Sequence, residues 1–248
     1  MRLRSTNPVY SKLNKMSAYA GTYAQATYQG VAGKTLYYML LVFVGAFAGI
    51  ILLEKNPTFL AGLLIASIIV AFISSLVAFI SPTSTKIAGT IYCLFEGILV
   101  GVISYIFEAI IPGVVPIAIL GTLAVVIVAA TLYLTGLVKV NGKFVRFLLL
   151  VSISVFVTYF LSFIISFFSS TFREALASPG INILVSLIMI FIASLYIMFD
   201  LENIRQVVEG GQPKSLEWFA AFGLAFTVIW LYMEVLPLVA QLLASADN

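Results

Sequence analysis

The feature that most constrains this chain is a succession of apolar runs, each about as long as a bilayer is thick. The run from Ala175 to Phe199 holds 25 residues without a charge. A helix needs about 20 mostly apolar residues to cross the hydrocarbon. Seven stretches qualify: 36–53, 59–80, 87–111, 115–138, 144–169, 181–209 and 215–243. Breaking residues separate them. Glu54-Lys55-Asn56-Pro57 ends the first, Ser81-Pro82 the second and Pro112-Gly113 the third, while Lys139-Val140-Asn141-Gly142-Lys143 follows the fourth. Arg173, Glu174 and Ser178-Pro179-Gly180 form the loop before the sixth, and Gly210-Gly211 stops it. The runs are far too long for barrel strands of about 10 residues, and they do not alternate polar with apolar. The expected fold is an all-α integral membrane protein, a seven-transmembrane-helix bundle.

Composition agrees. Of 248 residues, 62% are hydrophobic and 9% charged, against about 25% charged in a soluble domain. There is no histidine and one cysteine, Cys93, which leaves no usual zinc, haem or His-based catalytic site and no intramolecular disulfide. Only oxygen ligands remain, and these suit protons or hard cations such as calcium. Of the 13 basic residues, only Lys55 and Arg173 fall on one side of the bundle. The other side is then cytoplasmic, with the N-terminus in and the C-terminus out. The net charge of +3 speaks to this topology and not to nucleic acid. Residues 1–35 lack the apolar core of a signal peptide and read as a polar, partly disordered cytoplasmic tail; Tyr19, Tyr23 and Tyr28 could alternatively rest on the membrane surface. Residues 244–248 form a short tail. No internal repeat is evident, which disfavours an inverted-repeat transporter. Gly45 and Gly49, like Gly97 and Gly101, have the GxxxG spacing of close helix packing within a bundle or, less simply, of dimerisation.

In so apolar a chain the intramembrane acids carry the chemistry. Glu96, Asp200 and Glu234 each interrupt an apolar run. A lone carboxylate in hydrocarbon costs about 2.5–3.5 kcal/mol on insertion scales, so such acids face a bundle interior, pair, take a proton or bind a cation. One reading is a carboxylate cluster on a cation or proton path. The other is three unrelated acids, each satisfied locally by Ser, Thr, Tyr or backbone. Two close carboxylates cannot both stay ionised without a cation, so pH can gate such a site. A rise of 1.5 Å per residue puts Glu96 and Asp200 each about 14 Å deep from the inner side, and Glu234 about 28 Å from Ser215. Glu96 and Asp200 could meet. Glu234 reaches Asp200 only if its helix starts low, tilts or breaks, and Pro237 offers a place to break by freeing the Met233 carbonyl. Glu202 and Arg205, three apart, share one face as an interfacial ion pair, or Arg205 swings to an intramembrane acid. No His or Lys stands near a span hydroxyl to activate it, and Asp247 is the only aspartate besides Asp200, so neither an intramembrane serine nor an aspartyl protease is expected. Cys93 reads as a packing residue.

At these residues the chain resembles a known family. Phe199-Asp200-Leu201-Glu202-Asn203-Ile204 on the sixth span and Leu231-Tyr232-Met233-Glu234-Val235-Leu236-Pro237-Leu238 on the seventh look like the Bax inhibitor-1 (transmembrane Bax inhibitor motif) family, and in particular its bacterial branch. Glu217-Trp218-Phe219-Ala220-Ala221-Phe222-Gly223 is similar to that branch's Glu-Trp-Tyr-Ala-Ala-Phe-Gly signature, as is Thr6-Asn7-Pro8-Val9 to an early motif and Glu96-Gly97 to a Glu-Gly of several relatives. The resemblance implies seven helices around a central one and a pH-dependent calcium leak in a bacterial plasma (inner) membrane. It also implies a proton sensor made of two aspartates on the last two spans. Asp200 matches the first; Glu234 stands at the second, a Glu for an Asp and at a longer interval. The cell-death role of eukaryotic relatives is not carried over. The expectation is therefore a pH-sensitive cation leak, with Asp200 and Glu234 sensing protons or holding calcium and Glu96, Glu202 and Arg205 in support. No cofactor is required, and no enzyme is expected. The alternative is a non-transporting regulator or chaperone of other membrane proteins, and a proton-coupled transporter comes third. Convergence of the three acids on a cavity favours the leak, and their separation favours the regulator.

Overall fold

The computed structural model describes residues 24–55, 60–176 and 178–246. Its helices are α1 (Tyr28–Lys55), α2 (Leu60–Ile80), α3 (Thr85–Ile110), α4 (Val114–Leu134), α5 (Gly142–Phe168), α6 (Ser170–Leu176), α7 (Pro179–Glu209) and α8 (Leu216–Ala246). All but α6 are long and apolar enough to cross a membrane. No strand occurs among the described residues; one isolated antiparallel bridge joins Gln25 to Pro213.

The helix ends follow from their sequences. The Asn141 side chain accepts the Lys143 and Phe144 N–H groups at 3.0 Å and starts α5. Glu108, at the end of α3, accepts the N–H groups of Gly113 (2.7 Å) and Val115 (2.9 Å), so an acid that reads as a span terminator caps the following helix. Gly211, with φ of 61°, supplies the left-handed residue after α7. Residues 173–174, expected in a loop, belong to the short helix α6. The Ser169 hydroxyl accepts the Phe172 N–H at 3.2 Å and starts a new turn as soon as α5 ends.

The first helix begins at Tyr28, well before the apolar start at Leu36. Residues 28–35, read from composition as part of a polar tail, are its first two turns. Thr27 caps them by accepting the Gly30 N–H at 3.0 Å, and the preceding residues are tied to the α7–α8 loop. There Ala26 donates to Gln212 (2.8 Å) and Lys214 to Ala24 (2.9 Å). Tertiary pairing thus orders a segment that its own composition does not. Tyr19, Tyr23 and the Thr6–Val9 motif lie outside the described residues, as does Asp247.

Half of the α8 span is buried against the protein, whereas no other span exceeds 28%. It is the central helix that the family resemblance implies. One side of α8 closes a core with α1, α2 and α3 around Tyr38, Tyr92, Cys93 and Phe222. The other closes a core with α4 and α7 around Val114, Ile197, Leu231 and Leu236. The GxxxG pairs bring α1 and α3 into backbone contact: a Cβ on Gly45 would overlap the Leu94 carbonyl oxygen, one on Gly97 that of Val42, and one on Gly101 that of Ala46. This is close packing inside the bundle. By contrast α5 is peripheral, with Leu148 its one buried residue. Its Phe147, Phe156, Phe160, Phe163 and Phe167 face outward, as lipid-facing residues do.

Candidate functional site

Asp200 sits on α7 with 8% of its surface exposed. Its Oδ2 accepts a 2.6 Å hydrogen bond from the hydroxyl of Thr227 on α8, the one hydrogen bond to this carboxyl among the described residues. Thr227 is itself 4% exposed. Gly223, one turn earlier on α8, makes room for the acid: a Cβ there would lie 3.2 Å from Asp200 Oδ1. The contact therefore needs a hydroxyl and a missing side chain four residues apart, on the α8 face that meets α7.

Beside this pair lies a cavity of about 590 Å³ between α2, α5, α7 and α8. Asp200, Gly223 and Thr227 form part of its wall, and the rest is largely aromatic: Phe79, Phe156, Tyr159, Tyr196, Phe199, Phe226 and Trp230. The aromatic wall is ordered. Tyr196 and Ser152 share a 2.6 Å hydroxyl hydrogen bond across α7 and α5, and the Tyr196 and Trp230 rings meet edge to face at 5.8 Å.

The structure does not bring Asp200 and Glu234 together. Glu234 accepts a 3.1 Å hydrogen bond from the Trp230 indole N–H, four residues back on its own helix. It stands seven residues beyond Thr227, about 10 Å further along α8. Pro237 gives no help, because α8 passes through it unbroken to Ala246. Glu234 does come within electrostatic reach of Tyr159 at the cavity wall. Glu96 also stays apart: its electrostatic neighbours are Tyr92 and Cys93 on its own helix, and it is not among the residues lining the cavity. No group of three or more His, Cys, Asp or Glu among the described residues is placed to hold a metal ion.

Glu202 and Arg205 form a network near the end of α7. The Arg205 guanidinium donates Nε–H to Glu202 Oε2 (2.9 Å) and Nη2–H to Oε1 (2.7 Å), with Nη1 reaching Glu209 at 3.0 Å. Glu202 also accepts from the Tyr133 hydroxyl of α4 at 2.7 Å and from the Gln206 side-chain amide at 3.0 Å. A bidentate fork with two further donors fixes the carboxylate. Arg205 is thus held at the helix end and not turned toward Asp200 or Glu234.

The family model for Bax inhibitor 1 like proteins matches residues 7–244. The chain belongs to the Bax inhibitor 1-like family. No curated protein matches it. In this Bax inhibitor 1-like protein Asp200 is the most enclosed of Glu96, Asp200 and Glu234, and its partner is a threonine.

Two features of the Bax inhibitor 1-like bundle escape a reading of the sequence. Thr227 is one hydroxyl among many in the spans, and nothing in its neighbourhood marks it. Glu217, within the Glu-Trp-Phe-Ala-Ala-Phe-Gly motif, has a fully buried side chain. It pairs with Lys34 of α1 and accepts the Thr27 N–H at 2.8 Å. Lys34 and Lys86 both lie over the Trp218 ring, at 5.1 and 5.4 Å. The available signal is an acid in the first turn of a helix next to a tryptophan, with basic residues on other helices.

Proposed function

We propose that this Bax inhibitor 1-like protein is a pH-sensitive cation leak whose gate is the Asp200–Thr227 contact between α7 and α8. Carboxylate and hydroxyl oxygens suit hard cations, and calcium is the ion we assign to the leak. The observation that carries the reading is a nine-tenths buried carboxylate, held by one hydroxyl, at the wall of a cavity inside an apolar bundle. Such an acid is a poor choice for stability and a useful one for attracting a cation. Glu234, two turns beyond Thr227 and held by the indole of Trp230 of the cavity wall, supplies a second negative station on the same route. The two carboxylates act in series and not as a shared-proton pair. A cation passes them without a multidentate cage, and no bound cofactor or enzymatic step is required.

The sign of the pH effect follows. Ionised Asp200 attracts a cation; protonated Asp200 does not. The leak falls as pH is lowered through the titration of Asp200. The Asn variant mimics the protonated acid and gives a low leak whose remaining pH dependence is that of Glu234. The orientation consistent with the basic residues is N-in and C-out, in a bacterial plasma membrane.

The test is calcium flux into dye-loaded proteoliposomes from acid to mildly alkaline pH. Wild type, Asp200→Asn and Glu234→Gln are compared. A pH-dependent leak, lowered by Asp200→Asn with only the pH dependence of Glu234 remaining, and reduced by Glu234→Gln, is the expected result. Folded protein with no flux above empty liposomes at any pH rejects the leak. One observation favours a second reading, a non-transporting regulator of other membrane proteins: Glu96, Asp200 and Glu234 do not converge on one point. The absence of flux would leave that reading in place.

A further inference from the structure

The cavity beside Asp200 has a chemistry that a passage for hydrated metal ions does not need. Half of its lining residues are aromatic, and Asp200 is the one acid among the described residues that line it. Ring faces attract cations through their quadrupole, and they favour bulky, weakly hydrated ammonium groups over hard ions. The volume of about 590 Å³ falls within the roughly 300–1,000 Å³ range of pockets that enclose small organic ligands.

The way in points to the same kind of ligand. α2 and α5 share no substantial packing, so the cavity opens between them toward the hydrocarbon. Phe79 and Phe156, one from each helix, are 43% and 70% exposed at that opening. A molecule entering there comes from the bilayer and is lipophilic.

We propose that the cavity is a binding site for lipophilic organic cations carrying an ammonium group, which enter sideways from the bilayer, pair with Asp200 and lie against Tyr196, Phe226 and Trp230. Asp200 Oδ2 is held by Thr227, and Oδ1, on the Gly223 side, is left to meet the cation. The site shares Asp200 with the proposed leak but does not depend on ion flux.

The experiment measures equilibrium binding of radiolabelled benzyltrimethylammonium to the full chain in nanodiscs at mildly alkaline pH. Neopentylbenzene, which has the same shape and no charge, serves as the competitor. Saturable binding that the neutral isostere does not displace is expected. Asp200→Asn weakens it by about tenfold or more, the scale of losing one partner of a desolvated charge pair. Glu54→Gln, which removes a remote acid, leaves it unchanged. Trp230→Leu weakens it by about threefold or more, the scale of one cation–π contact, and it decides the matter if Asp200→Asn does not fold. No saturable binding to wild type overturns the proposal. So does equal binding of the isostere, or unchanged binding in whichever of the two cavity variants folds. Ammonium binding without calcium flux rejects the leak and keeps this site. Flux without ammonium binding does the reverse.

Discussion

The buried Glu217 carboxylate gives a prediction whose sign depends on the arrangement described. Gly30 lies in the first turn of α1, against this carboxylate. A Cβ built on Gly30 would overlap Glu217 Cδ and both carboxylate oxygens, with nothing else as near. Glu217→Ala removes the ion pair to Lys34 and leaves the Thr27 N–H without its acceptor. Breaking a buried pair costs about 3–5 kcal/mol. The lower end applies here, because the Lys34 side chain is 14% exposed and keeps its place over Trp218. Gly30→Ala in the wild type must displace the carboxylate, an overpacking penalty of about 1–3 kcal/mol. In the Glu217→Ala background the three atoms nearest that Cβ are gone. Helix propensity then favours alanine over glycine by up to about 1 kcal/mol. The same substitution should therefore destabilise one protein and leave the other unchanged or slightly more stable. Unfolding in mixed micelles titrated with a denaturing detergent gives the four stabilities of the cycle. Equal losses from Gly30→Ala in both backgrounds would show that the carboxylate does not sit against Gly30, and the account of this junction would fail.

Two other predictions concern contacts inside the bundle. Thr227→Val keeps the shape and removes the donor to Asp200. It should lower stability by about 1.5–3 kcal/mol if the acid is ionised, while Thr227→Ser retains most of it; equal behaviour of the two variants in the same unfolding assay would discount the hydrogen bond. Gly97→Val places a side chain on the Val42 carbonyl and should push α1 off α3, with a loss above about 1–3 kcal/mol. Gly33→Ala, where a Cβ meets nothing within 4 Å, should be neutral or mildly stabilising, and similar losses from the two would refute the packing argument.

What the sequence discloses here, and what it hides, divides along physical lines. The spans are legible because hydrocarbon sets their length and excludes charge, so that each charged or Pro-Gly break marks an end. Asp200 is legible because an acid in such a run is improbable without a reason. The start of α1 at Tyr28 is not, since a polar segment becomes helix only through Thr27, Glu217 and the pairing of residues 24–26 with the α7–α8 loop. Glu217 is hidden for a related reason: beside a polar loop it reads as a solvated residue, and only the fold encloses it.

The partner of Asp200 depends on register between two antiparallel helices, where each step up one is a step down the other. Asp200 with Thr227 and Tyr196 with Trp230 keep the same register to within one residue. Continuing it by one more turn sets Ile192 opposite Glu234. Ile192 is 4% exposed and lies on the same face of α7 as Tyr196. By this register the α7 position level with Glu234 is aliphatic, whereas the position that meets Asp200 carries a hydroxyl. The two carboxylates are kept apart by this register and not by the exchange of Asp for Glu, because one additional methylene cannot span about 10 Å of helix. Depth along each helix separates them in the sequence alone. The identity of Thr227 as the contact emerges only when the rotation of α8, set by its two cores, is known.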